Sequence, residues 1–276
     1  MYAYVLSLLP NYADNVLEIL TGTTGSAGAA VLNYALSSPA VSTISILSRR
    51  PVKLAENQAK AKVIIHKDFE TYPPEVLDQL KGATGCIWAQ GISSVGMKED
   101  DYTKITVDGP LAAARAFSGL GEKMNFVYMS GEGANMDEAK AGQMFGRVKG
   151  KAEKQLLALG DEQSPLNVYN IRPAIINPQG KYLAERPPTM QDRASTVLGG
   201  IAGLVWKSFV IPTHRLAKAC VDLAVGDGKP VPDRVGVEAE GRLLRNTALR
   251  RLAGMRWMRP SRSRHRLCLI YFTAYP

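Results

Sequence analysis

The stretch Val16-Leu17-Glu18-Ile19-Leu20-Thr21-Gly22-Thr23-Thr24-Gly25-Ser26-Ala27-Gly28 joins a short apolar run to a glycine-rich turn and the start of a small-residue helix reaching about Leu36. Glycines at 22, 25 and 28 remove the side chains that would keep a phosphate pair away from the helix end. The unpaired N–H groups there supply hydrogen bonds and partial positive charge. The dipole alone is worth about 0.3–1 kcal/mol when exposed and roughly 2 when partly buried, so several backbone donors around Thr23 and Thr24 must contribute as well. The spacing is G-x-x-G-x-x-G rather than the commoner G-x-G-x-x-G. An ordinary strand-to-helix turn that needs glycine only for packing is the competing explanation. No G-x-x-x-x-G-K-[ST] occurs, which disfavours a P-loop nucleotidase.

Outward from this turn, short β-rich runs alternate with helical patterns. Strands are expected at 41–47, 61–65, 85–89, 125–129 and 167–171, and helices at 74–80, 109–120 and 145–159. With the first run this makes six strands and predicts an α/β fold, a doubly wound parallel sheet of the dinucleotide-binding (Rossmann) type. Ligands collect beyond the C-terminal strand ends in such sheets, so function is sought there. The second strand ends in Ser48-Arg49-Arg50, with no acid to hold a ribose 2′-hydroxyl. Two guanidiniums suit a 2′-phosphate and favour NADP over NAD. Asp68, past the third strand, is placed to accept from an adenine amino group, and Gln90 and Gly91, past the fourth, lie where a dinucleotide would cross the sheet edge.

The ordered series TGxxGxxG, Arg49-Arg50, Ser130 after the fifth strand, Lys149 in the next helix and Arg172-Pro173 after the sixth resembles the extended and atypical short-chain dehydrogenase/reductases. The resemblance covers about residues 15–225. It is closest to the nucleoside-diphosphate-sugar epimerase-like NAD(P)-binding proteins, chiefly through Phe145-Gly146-Arg147-Val148-Lys149-Gly150-Lys151-Ala152-Glu153. It implies that Ser130 and Lys149 are catalytic, and that Gly22, Thr23, Thr24, Gly25, Gly28, Arg49, Arg50, Lys149, Arg172 and Pro173 bind the cofactor, to which the strand-end positions add Asp68, Gln90 and Gly91. No metal is implied. The helix in this superfamily reads Tyr-x-x-x-Lys, and here Phe145 stands at the tyrosine. A phenyl ring can neither give nor take the substrate's proton, a contribution worth roughly 10²–10⁴-fold. Tyr128, on the same strand face as Ser130, and Tyr102 and Tyr182 are the substitute donors to consider. Two function classes follow: an NADP-dependent oxidoreductase or epimerase-like enzyme acting on a small molecule, and an NADP-bound regulator without turnover.

Composition bounds the rest. The 276 residues carry a net charge of +9, and residues 242–276 hold nine arginines and no Lys, Asp or Glu, which leaves residues 1–241 neutral. The charge therefore belongs to a tail and does not mark the body as a nucleic-acid binder. Cys86, Cys220 and Cys268 are too scattered for a disulfide framework, which fits a reducing, cytoplasmic setting. The expected organisation is a non-secretory leader over 1–14, the Rossmann domain over 15–180, a substrate-side region over 181–241 and a basic tail over 242–276. Within that tail, 243–258 has the spacing of an amphipathic helix, suited either to an anionic membrane surface or to packing on the body. Residues 257–276 read as disordered or as foreign to the folded protein.

Overall fold

The computed structural model describes residues 17–179, 181 and 209–255. Its first unit is strand β1 (Leu17–Thr21) and helix α1 (Ser26–Ser37). Strands β2 (Thr43–Ser48), β3 (Ala61–Ile65), β4 (Ala83–Trp88), β5 (Met124–Met129) and β6 (Leu166–Arg172) follow. Between them lie α2 (Pro74–Asp78), α3 (Glu99–Thr103), α4 (Gly109–Phe117) and α5 (Met144–Glu162). A π-turn at Lys104–Asp108 joins α3 to α4. After β6 come a parallel strand pair, β7 (Ile175–Asn177) and β8 (Val210–Pro212), then α6 (Thr213–Val225), β9 (Val237–Glu238), β10 (Leu243–Arg245) and α7 (Asn246–Leu252).

The main sheet has eight strands in the order β3-β2-β1-β4-β5-β6-β10-β9, parallel except for β9 against β10. The chain winds outward from β1 in both directions, so the strand order reverses between β1 and β4 and leaves a crevice at their C-terminal ends. Alternation along each strand feeds two cores. Leu20, Ile46, Ile87 and Ile171 pack under α1, α6 and α7, whereas Ile19, Leu47, Trp88 and Phe126 pack under α4 and α5.

Two sequence expectations change here. The sheet gains a strand pair from the C-terminal third, and residues 242–255 are part of the fold rather than a tail. Leu243, Leu244, Ala248 and Leu249 are fully buried, and β10 extends the sheet beside β6. The arginines between these apolar residues do not form a free cationic face. Arg245 pairs with Glu132, Arg250 donates to the Val210 carbonyl and Arg251 to the Val235 carbonyl. Similarly, α6 covers the sheet beside α1, although 181–241 was expected on the substrate side. Leader residues 1–14, Tyr182 and tail residues 257–276 lie outside the described residues, among which no helix is long and apolar enough to cross a membrane.

Candidate functional site

Two cavities meet at Ala89, Gln90 and Gly91, just past β4. The first, about 650 Å³, runs from Gly22-Thr23-Thr24-Gly25 to Ser48-Arg49-Arg50. The second, about 700 Å³, takes in Ser26, Ile92, Ser130, Phe145, Lys149 and Ile176. Together they make one cleft across the switch point of the sheet. A side pocket of about 160 Å³ opens between Arg49, Asp68, Gln90 and Lys104.

The three glycines of the turn have different reasons to be glycine. Gly22 has φ +72°, and a Cβ there would lie 2.4 Å from the Ala89 carbonyl. A Cβ on Gly28 would lie 2.2 Å from the Gly22 oxygen. Packing dictates both. Gly25, the N-cap of α1, would bring its Cβ within 4 Å of nothing but the Gly22 oxygen, at 3.4 Å, so no part of the described chain demands glycine there. The helix end carries no side-chain cap and no acid in its first turn. Beside it the Thr23 Oγ1 is buried and without a partner among the described residues. Open donors, an orphaned hydroxyl and absent side chains fit an anionic phosphate pair.

Arg49 and Arg50 are exposed at the rim of the first cavity, and among the described residues no acid lines it. Asp68 borders the side pocket. Its carboxylate accepts from Thr71 Oγ1 at 2.7 Å and from the Glu70 N–H at 2.9 Å, and these bonds hold its pKa below the usual range.

At the other end Ser130 is 7% exposed, and its Oγ has no partner among the described residues. Lys149 is 8% exposed; its Nζ donates to the Met129 carbonyl at 2.9 Å and lies 5.2 Å from the centroid of the Tyr128 ring. Burial lowers its pKa to about 8, against the opposing pull of Glu153 one turn along α5. The loop after Ser130 lies directly on α5 because Gly146 and Gly150 leave room for it. A Cβ at these positions would come 2.7 Å from the Gly133 oxygen and 1.8 Å from the Asn135 oxygen. These glycines escaped the sequence reading, although they stand four residues apart in a helix already singled out.

The Phe145 ring lines the cleft but is aimed at Gly131. A Cβ on Gly131 would lie 2.9 Å from Cζ and 3.8 and 3.9 Å from the two Cε atoms, which puts it on the ring's long axis. A para hydroxyl in this pose would therefore run into Gly131. Of the substitute donors, Tyr128 is buried and gives its hydroxyl to the Thr106 carbonyl at 3.0 Å, and Tyr102 is buried away from the cleft lining.

Arg172 and Pro173 are not brought to the cleft, contrary to expectation. The Arg172 guanidinium is held by Glu153, with Nε–Oε1 at 2.9 Å and Nη2–Oε2 at 2.5 Å, and the Pro173 carbonyl accepts the Glu132 N–H at 2.9 Å. Glu153, buried on the facing helix, occupies the guanidinium with two charge-assisted hydrogen bonds. The pair continues through Glu238 and Arg245 to Glu132, tying α5 and β6 to the loop that follows Ser130.

No family model matches the chain. Leucinostatins biosynthesis cluster protein T of Purpureocillium lilacinum is 34% identical over 255 residues, which cover 84% of this chain and 93% of that protein. The mitochondrial protein fmp52 of Emericella nidulans is 31% identical over 161 residues, covering 57% and 65%. Among solved structures, a short-chain dehydrogenase/reductase of Saccharomyces cerevisiae superposes with a TM-score of 0.61 at 16% identity, over 86% of this chain and 99% of that one. The chain thus belongs to the family of leucinostatins biosynthesis cluster protein T, and its fold is that of the short-chain dehydrogenase/reductases and epimerase-like NAD(P)-binding proteins.

Proposed function

We propose that the chain binds NADP along the cleft and serves as an oxidoreductase or epimerase-like enzyme on a small-molecule substrate. The observation that carries this is Gly25, a helix N-cap open toward the cleft, next to the buried, unpartnered Thr23 hydroxyl. Gly22, Thr23, Thr24 and Gly25 would hold the pyrophosphate, Arg49 and Arg50 the 2′-phosphate, the pocket by Asp68 the adenine, and Lys149 the nicotinamide ribose. When bound, the cofactor supplies or accepts a hydride. The chain's part is to place Ser130 against the substrate oxygen. The side chains of Met129, Phe145 and Ile176 give that end of the cleft apolar walls.

Cofactor choice is tested by replacing both arginines with alanine. Losing two charge-assisted contacts should weaken NADP by about 100-fold or more and leave NAD nearly unchanged, since each such bond is worth roughly 1.5–3 kcal/mol. Equal losses for the two dinucleotides would remove the 2′-phosphate assignment. A second reading, an NADP-bound regulator without turnover, draws its support from Phe145 alone.

A further inference from the structure

Among the described residues no phenol lines the reactive end of the cleft, so the source of the substrate's proton is sought among the groups that do. Residue 145 is phenylalanine and points its para carbon at Gly131. The Tyr128 hydroxyl is engaged with the Thr106 carbonyl. Among the described residues lining this end, Ser26, Ser93, Ser94, Ser130 and Gln90 are neutral, and Lys149 is the one ionised donor. A serine hydroxyl can pass a proton on but is too weak an acid to be its source.

We propose that Lys149 itself gives the proton to the substrate oxygen during carbonyl reduction in this cleft, while the Ser130 hydroxyl holds that oxygen. The inference rests on the reading of the cleft as a dinucleotide site. As hydride from the reduced nicotinamide forms the new C–H bond, the carbonyl π pair moves to oxygen. An Nζ–H bond of Lys149 then breaks and an O–H bond forms. The products are the alcohol, the oxidised nicotinamide and a neutral amine, which regains its proton from water.

Two features equip Lys149 for this. Among the described residues a single carbonyl, that of Met129, accepts from its Nζ, which leaves further N–H bonds for a ligand. Its surroundings also discourage the charged form. β5 presents the Tyr128 ring, whose own hydroxyl burial keeps protonated, and the charged group acting on the lysine is Glu153, itself shared with Arg172. Desolvation outweighs that carboxylate and brings the ammonium toward the range where it can release a proton at neutral pH.

The test uses the full chain with lysine labelled at ¹³Cε, titrated first without dinucleotide. One resonance, absent from Lys149→Met, should move with a midpoint near pH 8, while exposed lysines titrate near the ordinary value of about 10.4. The second arm is Lys149→Arg, which keeps a cation in the cleft but cannot release a proton. With a panel of small aldehydes at saturating NADPH, its turnover should fall about 100-fold or more, a loss of kcat beyond any change in NADPH affinity. A Lys149 signal still reporting the ammonium at about pH 10 overturns the inference, as does full turnover in Lys149→Arg. If the unaltered chain binds no dinucleotide in calorimetry, the underlying reading fails instead, whatever the titration shows.

Discussion

Single residues here separate what the fold needs from what a ligand needs. Gly22 and Gly28 are locked by backbone atoms a few ångströms away, and Gly25 is not. Glu18 is a third kind of residue. It lies on β1, is 1% exposed, and neither carboxylate oxygen has a partner among the described residues. Burial raises its pKa from 4.5 to about 8. In the unfolded chain it ionises first, so the folded state binds the extra proton between these values. Stability therefore falls as pH rises through that window and levels off above it, by about 1.4 kcal/mol per unit at most. Glu18→Gln should gain stability over the parent progressively from about pH 4.5 to pH 8 in denaturant titrations. A gain that does not change with pH would contradict the assignment. Nothing in the strand pattern announced this: Glu18 interrupts an apolar run, and a strand with one solvated face would read the same way.

At the scale of elements, the sequence located nearly every strand and helix of the first two thirds, because each apolar run is short, β-branched and bounded by turn residues. β3 runs Ala61–Ile65 as expected, and α5 runs Met144–Glu162 around the expected 145–159. The tail expected past 241 was misjudged for a definite reason, although packing of 243–258 on the body was one of its two alternatives. Arginine spacing suggests a solvated helix face, and it cannot reveal that distant carbonyls and Glu132 absorb those charges. The same holds for Arg172, whose partner Glu153 lies on another element. If β10 is an integral strand, Leu244→Ala should cost about 2–4 kcal/mol and lower Tm by several degrees. An unchanged Tm would return 242–255 to the status of a tail. Equally hidden was the seat of the Ser130 loop on Gly146 and Gly150, since helical spacing shows that two small residues share a face but not what lies against it.

For the whole molecule, the doubly wound order puts the glycine turn, the arginine pair, Ser130 and Lys149 along one crevice. Their order in the sequence made that placement legible, because successive strands of such a sheet deliver their C-terminal ends to one edge. The orientation of Phe145 and the depth of Lys149 were not legible, since the first depends on packing against the loop at Gly131 and the second on β5 at Tyr128 and Met129. Dinucleotide binding in this crevice is the claim on which the functional reading stands, and Gly25 allows it to be tested apart from folding. Calorimetric titration of NADPH and NADH into the full chain and into Gly25→Asp, with melting curves of both, is the direct measurement. The parent should bind NADPH more tightly than NADH. The aspartate, a favourable N-cap whose Cβ meets nothing closer than the Gly22 oxygen at 3.4 Å, should leave Tm nearly unchanged and abolish binding by placing charge and bulk where the phosphates belong. No binding by the parent, or equal binding by a folded Gly25→Asp, would contradict the dinucleotide site.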